Sequence, residues 1–338
     1  MEPVALAPNQ LHRFYKGGAR IAALRSSGND DPYAPEEWIG STASPFGEPG
    51  VGVALLPHGR SLDDAVADDP KGYLGAEHVA RFGTDLALLV KLLDAGERLP
   101  VHFHPDDAFA REHLGSPWGK TEAWIILDAE PGASVHIGFR ERVDPATVRG
   151  WVDAQDVPSM MAALNEVHVA AGTTVFVPAG TPHIIGAGIL LAELQQPTDL
   201  SILLEWEGFE IDGPKDGHLG LGFDLALSAL DHHVWTDEEL QRARSTRPGS
   251  RDENVVKLFP AEADRFFRAQ RSGDGARLDA SFSILLVVGG SGSLKGRDWE
   301  LALERGDAVL VPHSAGGTEV KGPVDILRCL PPDAAARA

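Results

Sequence analysis

Short apolar runs closed by Gly and Pro turns recur in both halves of the chain, a pattern that predicts short β-strands with helices added between them. The run DLALLVKLL is continuously apolar apart from Lys91 and leads through a brief turn into LPVHFHP, so strands are expected over 85–93 and 100–104. Alternation in the second of these sends His102 and His104 to one side and Val101 and Phe103 to the other. Further strands are expected over 122–127 and 133–139, joined at a D-A-E-P-G turn, then at 168, over 173–177 and over 188–194. Trp38 in EEWIGST reads as packed at a core edge, with its two neighbouring acids in solvent.

Helical spacing appears in four places. SLDDAVADDPKGYLGAEHVARF, residues 61–82, opens on Ser61 as an N-cap signal. Residues 106–114 follow Pro105, with Asp106 and Asp107 at the favourable end of the helix dipole. Val148, Val152, Met160, Met161 and Leu164 give a helical period over 144–167, broken near Pro158, and 223–243 is the fourth. The Gly- and Asp-rich segment FEIDGPKDGHLG separates two units, 1–212 and 213–338. In the second unit Gly306 and Pro312 repeat the spacing of Gly172 and Pro178, which suggests an internal duplication.

Composition narrows the partners. A formal net charge of −20 with no basic stripe argues against nucleic acid and anionic membranes. An apolar fraction of 43% supports a substantial core, and no apolar stretch is long enough to span a bilayer. The single cysteine, Cys329, excludes an internal disulfide, and the N-terminus lacks a charged, then apolar, leader pattern. The expectation is a soluble cytoplasmic protein acting on a small molecule.

Two stretches carry the candidate chemistry. The first, GERLPVHFH, is G-x5-H-x-H, and the second, GTTVFVPAGTPH, is G-x5-P-x-G-x2-H and ends at His183. Together they are the two halves of the cupin metal signature. Imidazoles from His102, His104 and His183 with the Glu122 carboxylate make a four-ligand set for one divalent metal per chain. Zinc suits that set, while iron, manganese, cobalt and nickel also accept it. Seventeen residues separate His104 from Glu122, and the inserted helix over 106–114 accounts for them. In the second unit no histidine follows Pro312 at the matching place, so that copy reads as lacking the metal site. The other histidines read as ordinary hydrogen-bonded residues.

These segments, LLVKLLDAGERLPVHFHPDD, Gly119 to Glu122 with Trp124 after it, FVPAGTPHIIGAGILLAELQQPTD and, more faintly, EEWIGST, resemble the type I phosphomannose isomerases over roughly residues 11–199. The resemblance implies two cupin (jelly-roll) β-barrel domains with inserted helices, mainly β, the second without metal. It implies metal ligands at His102, where the family usually has glutamine, and at His104, Glu122 and His183. Lys120 falls on a family lysine near substrate, and Glu193 and Asp199 fall on acidic cavity positions. Leu203 occupies the place of a family arginine, for which Lys120, Arg140 and Arg111 are candidate substitutes. The implied activity is metal-dependent interconversion of mannose 6-phosphate and fructose 6-phosphate, with Lys120 or Glu193 moving the proton and Lys120, Asp199 and Arg140 binding substrate. The alternatives are isomerisation of a different or unphosphorylated sugar, a metal-dependent dioxygenase, or a non-catalytic sugar-binding cupin.

Overall fold

A computed structural model describes residues 1–245 and 254–334. Its elements form three antiparallel sheets rather than closed barrels, in a mainly β arrangement. The central sheet has seven strands in the order Arg244–Ser245, Thr174–Val177, Glu122–Ala129, Ile189–Gln195, Leu89–Ala95, Glu36–Ile39 and Gln10–Leu11. A five-stranded sheet, Ile202–Leu203, His102–Phe103, His183–Ile185, Ser134–Phe139 and Leu164–His168, faces one side of it. A nine-stranded sheet, built from the C-terminal part together with the N-terminal strand Val4–Ala5, covers the other side.

Burial on both faces explains the central strands. Leu89–Ala95 and Ile189–Gln195 are buried at every residue, as expected of strands sandwiched between two layers. Their alternation still has meaning: Val90, Leu92, Ala192 and Leu194 pack toward Ile284, Leu286 and Leu310 of the nine-stranded sheet. Leu93, Leu191, Trp124 and Ile126 point the opposite way, against Val135, Ile137 and Ile185. On the outer face of the five-stranded sheet, Phe103, Ile184 and Ile202 pack beneath the helices Pro145–Ala154 and Val157–Ala162.

Several sequence expectations change in detail. The helix over 61–82 is three helices, Leu62–Asp68, Pro70–Leu74 and Ala76–Phe82, divided at Pro70 and at Gly75. Gly75 has φ +87, and a Cβ there would stand 2.6 Å from the His313 ring. Ser61 occupies the N-cap position, but its hydroxyl donates to Asp64 Oδ2 instead of capping. The strand over 100–104 shrinks to His102–Phe103, because Pro100 and Pro105 on either side have no N–H for a ladder. The helix over 144–167 turns at Gln155, φ +48, and gives way at Leu164 to a strand that pairs with Ser134–Phe139. Glu122–Ala129 and Ser134–Phe139, successive in sequence, lie in different sheets.

The helix over 106–114 forms as expected, Asp107–Phe109 running into a wide π turn at Ala110–Leu114, with Asp106 accepting from Phe109 N. The segment over 223–243 keeps short helices at its ends, Phe223–Ala226 continued by a 3-10 turn at Leu227–Ala229, and Asp237–Ala243. Ala226 and Leu230 pack beside Phe139 and Val148, and Arg244–Ser245 pairs with Thr174–Val177. At the other end of the chain, Val4–Ala5 pairs with Ala308–Val311. Among the described residues no helix is long and apolar enough to cross a membrane.

Candidate active site

The inner face of the five-stranded sheet looks across at the inner face of the seven-stranded one, and the polar side chains of both meet there. His183 is the direct cross-strand partner of His102, so their rings stand side by side with centroids 4.2 Å apart. His104 follows on the same face, 4.9 Å from the His183 ring. The turn that delivers His183 is tied to this strand by Gly180 N, which donates to His104 O at 2.7 Å. The ligand atoms of His102, His104 and His183 all lie within 4.8 Å of one another.

Backbone carbonyls set the tautomers. His102 Nδ1 lies 2.8 Å from Pro100 O, His104 Nδ1 2.9 Å from Leu200 O, and His183 Nδ1 2.8 Å from Thr181 O. A carbonyl oxygen only accepts, so each Nδ1 carries the proton and each Nε2 keeps its lone pair for the cavity. Burial pushes His104 and His183 down to about 3, and His102 well below its usual range. All three imidazoles are therefore neutral at physiological pH, the form a metal needs.

Glu122 comes from the facing sheet. Its Oε2 is 3.1 Å from His104 Nε2 and its Oε1 3.3 Å from His183 Nε2. Burial works to raise its pKa, yet Lys120 and His104 hold it well below the ordinary carboxylate range, so it is anionic. His183 Nε2, fully buried, has no hydrogen-bond partner. Three oriented lone pairs, one carboxylate and an orphaned buried nitrogen fit a divalent metal. The donor set already draws a cation, since Lys120 Nζ lies 3.0 Å from Glu122 Oε2 and 3.1 Å from His104 Nε2.

Lys120 and Glu122 owe their placement to a clasp among three motifs far apart in sequence. Asp107 Oδ1 accepts from Gly119 N at 2.8 Å and from Gln196 Nε2 at 2.7 Å. Gln196 Oε1 accepts from Thr121 N at 2.9 Å, and the Thr198 hydroxyl donates to Gly119 O at 2.7 Å. The HPDD, GKTE and QQPTD segments are thus one hydrogen-bonded unit beside the imidazoles.

A row across the seven-stranded sheet supplies the opposite wall: Trp38, Lys91, Glu193 and Trp124 are successive cross-strand neighbours. Trp124 Nε1 donates to Glu122 Oε1 at 3.1 Å and to Glu193 Oε1 at 3.3 Å. Burial first, and the Glu122 charge second, push Glu193 up to about 8. Lys91 Nζ lies 3.2 Å from both Glu36 Oε2 and Asp199 Oδ1 and 4.7 Å above the Trp38 ring. Arg13 reaches Asp199 Oδ2 at 2.8 Å, while the Tyr15 hydroxyl and Trp38 Nε1 donate to Glu36. For Asp199, burial opposes ionisation but Arg13 and Lys91 outweigh it and keep the pKa low.

Lys120, Glu193 and Asp199 thus line one cavity of about 750 Å³ with His102 and Glu122. Arg140 and Arg111 do not: both are exposed outside its wall, Arg140 just past the end of Ser134–Phe139. Leu203 is buried on the inner face as the cross-strand partner of His102, with no cation at that position. Glu36 and Glu37 are buried rather than solvated, Glu36 in the Lys91 network and Glu37 paired with Arg25 at 2.8 Å. Glu36, Arg13 and Tyr15 were not legible as site residues. Lys91 had a signal, a charge inside an apolar strand that no solvent-facing side can accommodate.

The family model for "Mannose-6-phosphate isomerase, cupin domain" matches residues 274–331. A mannose-6-phosphate isomerase of Streptococcus mutans is 28% identical over 331 residues, 96% of this chain and 97% of its own. These matches support a likeness to the type I phosphomannose isomerases of the cupin superfamily. The ManA mannose-6-phosphate isomerase of Bacillus subtilis is 26% identical over 249 residues, 71% of this chain and 73% of its own. The fold agrees with a crystal structure of the mannose 6-phosphate isomerase from Bacillus subtilis, with a TM-score of 0.77 at 23% identity over 97% of this chain and 99% of that one. A mannose 6-phosphate isomerase bound with zinc and yttrium superposes with a TM-score of 0.74 at 16% identity, covering 98% of this chain and 100% of that chain.

Proposed function

We propose that this protein is a metal-dependent aldose–ketose isomerase that interconverts mannose 6-phosphate and fructose 6-phosphate, with zinc held by His102, His104, Glu122 and His183. The observation that carries the reading is the convergence of three neutral imidazoles, their Nε2 lone pairs aimed at one buried point beside Glu122. The names of the relatives supply the sugar. A bound divalent ion would polarise the sugar's carbonyl and hydroxyl oxygens.

The chain's own groups do the rest. Glu193 is the residue that takes the proton from one carbon and returns it to the next, because a carboxyl with a pKa of about 8 is suited to both halves of that exchange near neutral pH. Trp124 orients it by donating to Oε1, and Lys91 stands 4.0 Å from Oε2. Lys120, within 3.1 Å of both Glu122 and His104, carries the positive charge that favours an enediol-like intermediate on the sugar oxygens. Asp199 holds Lys91 and Arg13 in the wall of the cavity. The same reading keeps two units, 1–212 with the metal site and 213–338 as a cupin-like unit without one, supported by the family match over 274–331.

Proton NMR of fructose 6-phosphate in D2O with zinc-loaded protein tests the proposal. Mannose 6-phosphate should appear, with solvent deuterium at the carbon that exchanges its proton. Zinc-loaded protein that leaves fructose 6-phosphate unchanged would refute the activity, and turnover by fully metal-free protein would refute the role of the metal.

A further inference from the structure

We infer that Lys215 receives the phosphate group of the substrate at the rim of the cavity, an assignment that rests on the sugar-phosphate reading above. A phosphate monoester brings close to two negative charges at neutral pH, and a cation free to meet them is required. The lysine and arginine side chains lining the cavity among the described residues are Arg13, Lys91, Lys120 and Lys215. Two of them are already committed to buried carboxylates: Arg13 pairs with Asp199 and Glu36, and Lys91 with Glu36 and Asp199. Drawing either toward a phosphate would strand a carboxylate away from water, which is costly. Lys120 stands at the metal end of the cavity, 3.0 Å from Glu122 Oε2 and 3.1 Å from His104 Nε2, where the sugar's carbonyl oxygens are placed.

Lys215 is placed differently. Its side chain is 75% exposed, and its carboxylate neighbour, Asp216, lies 3.5 Å away at the solvent edge. Such a contact contributes little and is easily exchanged for a stronger one. The short helix Gly213–Asp216 that carries Lys215 is fastened beside the imidazoles: Leu203 N donates to Gly217 O at 2.8 Å, and Leu203 is the cross-strand partner of His102. Leu203 thus joins the His102 strand to the Lys215 helix, and Leu203, Leu219 and Ser201 line the same cavity as Lys215. A sugar whose carbonyl end sits at the imidazoles has the Leu203 side of the cavity open to its other end, and the exposed cation there is Lys215.

Steady-state kinetics of the zinc-loaded protein with fructose 6-phosphate tests the assignment. Lys215→Met should raise KM about tenfold, the loss of one charge-assisted hydrogen bond, with a smaller change in kcat. Competitive inhibition by inorganic phosphate should weaken by a similar factor. Lys215→Arg keeps the charge and should recover most of the loss, which separates a phosphate contact from a change in the helix. Asp216→Asn removes the competing carboxylate and should lower KM. If KM and the phosphate inhibition constant of Lys215→Met stay within about twofold of wild type, no more than an exposed ion pair yields, the assignment is overturned and the isomerase reading stands. Wild-type protein that converts no sugar phosphate overturns both.

Discussion

The stretches that begin at Gly172 and at Gly306 start alike and end in different chemistry. Each glycine is in the left-handed region, φ +87 and φ +97, and each opens a four-residue strand buried throughout, Thr174–Val177 and Ala308–Val311. Phe176 and Leu310, near the middle of each strand, point into the same cluster between the central and nine-stranded sheets. Val175 and Val177 face inward in one half, Val309 and Val311 in the other. After the proline they part. The first stretch turns through Gly180 to His183, whereas the second forms a short 3-10 turn at His313–Ala315 and re-enters the sheet at Thr318.

What each strand faces explains the divergence. The first half meets Glu122, Glu193, Lys91 and three imidazoles across its interior, all buried. The second half meets Leu285, Val287, Leu294, Val320 and Ile326. The backbone pattern builds a rigid scaffold in both cases, and the identity of the inward residues decides whether that scaffold is a site or a core.

The largest effect that tests this contrast is at the metal. His183→Ala should abolish both metal binding and turnover, read as metal content by atomic absorption and as isomerisation rate; a metal-loaded, active variant would break the comparison. Next comes the wall beneath the site. Lys91→Met removes the cation shared by Glu36 and Asp199 and should cost about 3–5 kcal/mol of stability, measured by urea unfolding. A cost below about 1 kcal/mol, the range of an exposed pair, would show that the network is not held out of water.

The two glycines sharpen the comparison further. A Cβ on Gly172 meets nothing within 4 Å, so Gly172→Ala should cost only the left-handed strain, about 1–2 kcal/mol. A Cβ on Gly306 would lie 2.0 Å from the Leu24 carbonyl oxygen, so Gly306→Ala should cost distinctly more, because backbone has to move. Equal losses in paired unfolding curves would contradict that ordering.

The smallest effect is on pH dependence of the metal-free protein. His104 and His183, pushed down to about 3 by burial, refuse protons that the unfolded chain accepts, so their stabilisation is lost as pH falls from the unfolded value of 6.5 toward 3. Glu193, raised to about 8, binds a proton that the unfolded chain releases near 4.5, so its contribution declines as pH rises from 4.5 to 8. Between 4.5 and 6.5 the two imidazoles outweigh the one carboxyl. Thermal unfolding should therefore show a maximum near pH 6.5, and a midpoint that climbs steadily from pH 6.5 to 8 would contradict these assignments.

Much of the site was readable from local spacing. Alternation in VHFH aims two imidazoles one way, and a Pro-x-Gly turn places a third, because both depend only on backbone geometry within a few residues. The inserted helix after Pro105 and the distance to Glu122 were readable for the same reason. The acids of EEWIGST were misread as solvated, since nothing local reveals that Glu36 meets Lys91, Arg13 and Tyr15 from three other segments.

By itself, then, the sequence determined the mainly β character, the inward direction of His102, His104 and His183, and the absence of a matching histidine after Pro312. Tertiary structure alone decided that the sheets stack in three layers without closing. It also decided that Asp107 clasps Gly119 and Gln196, and that Lys91 and Glu193 stand side by side facing the imidazoles. Local geometry is encoded in a few adjacent residues, whereas ion pairs and register join segments far apart in sequence, 186 positions in the case of Arg13 and Asp199. Which distant charges meet is settled only when the packed layers exclude water around them.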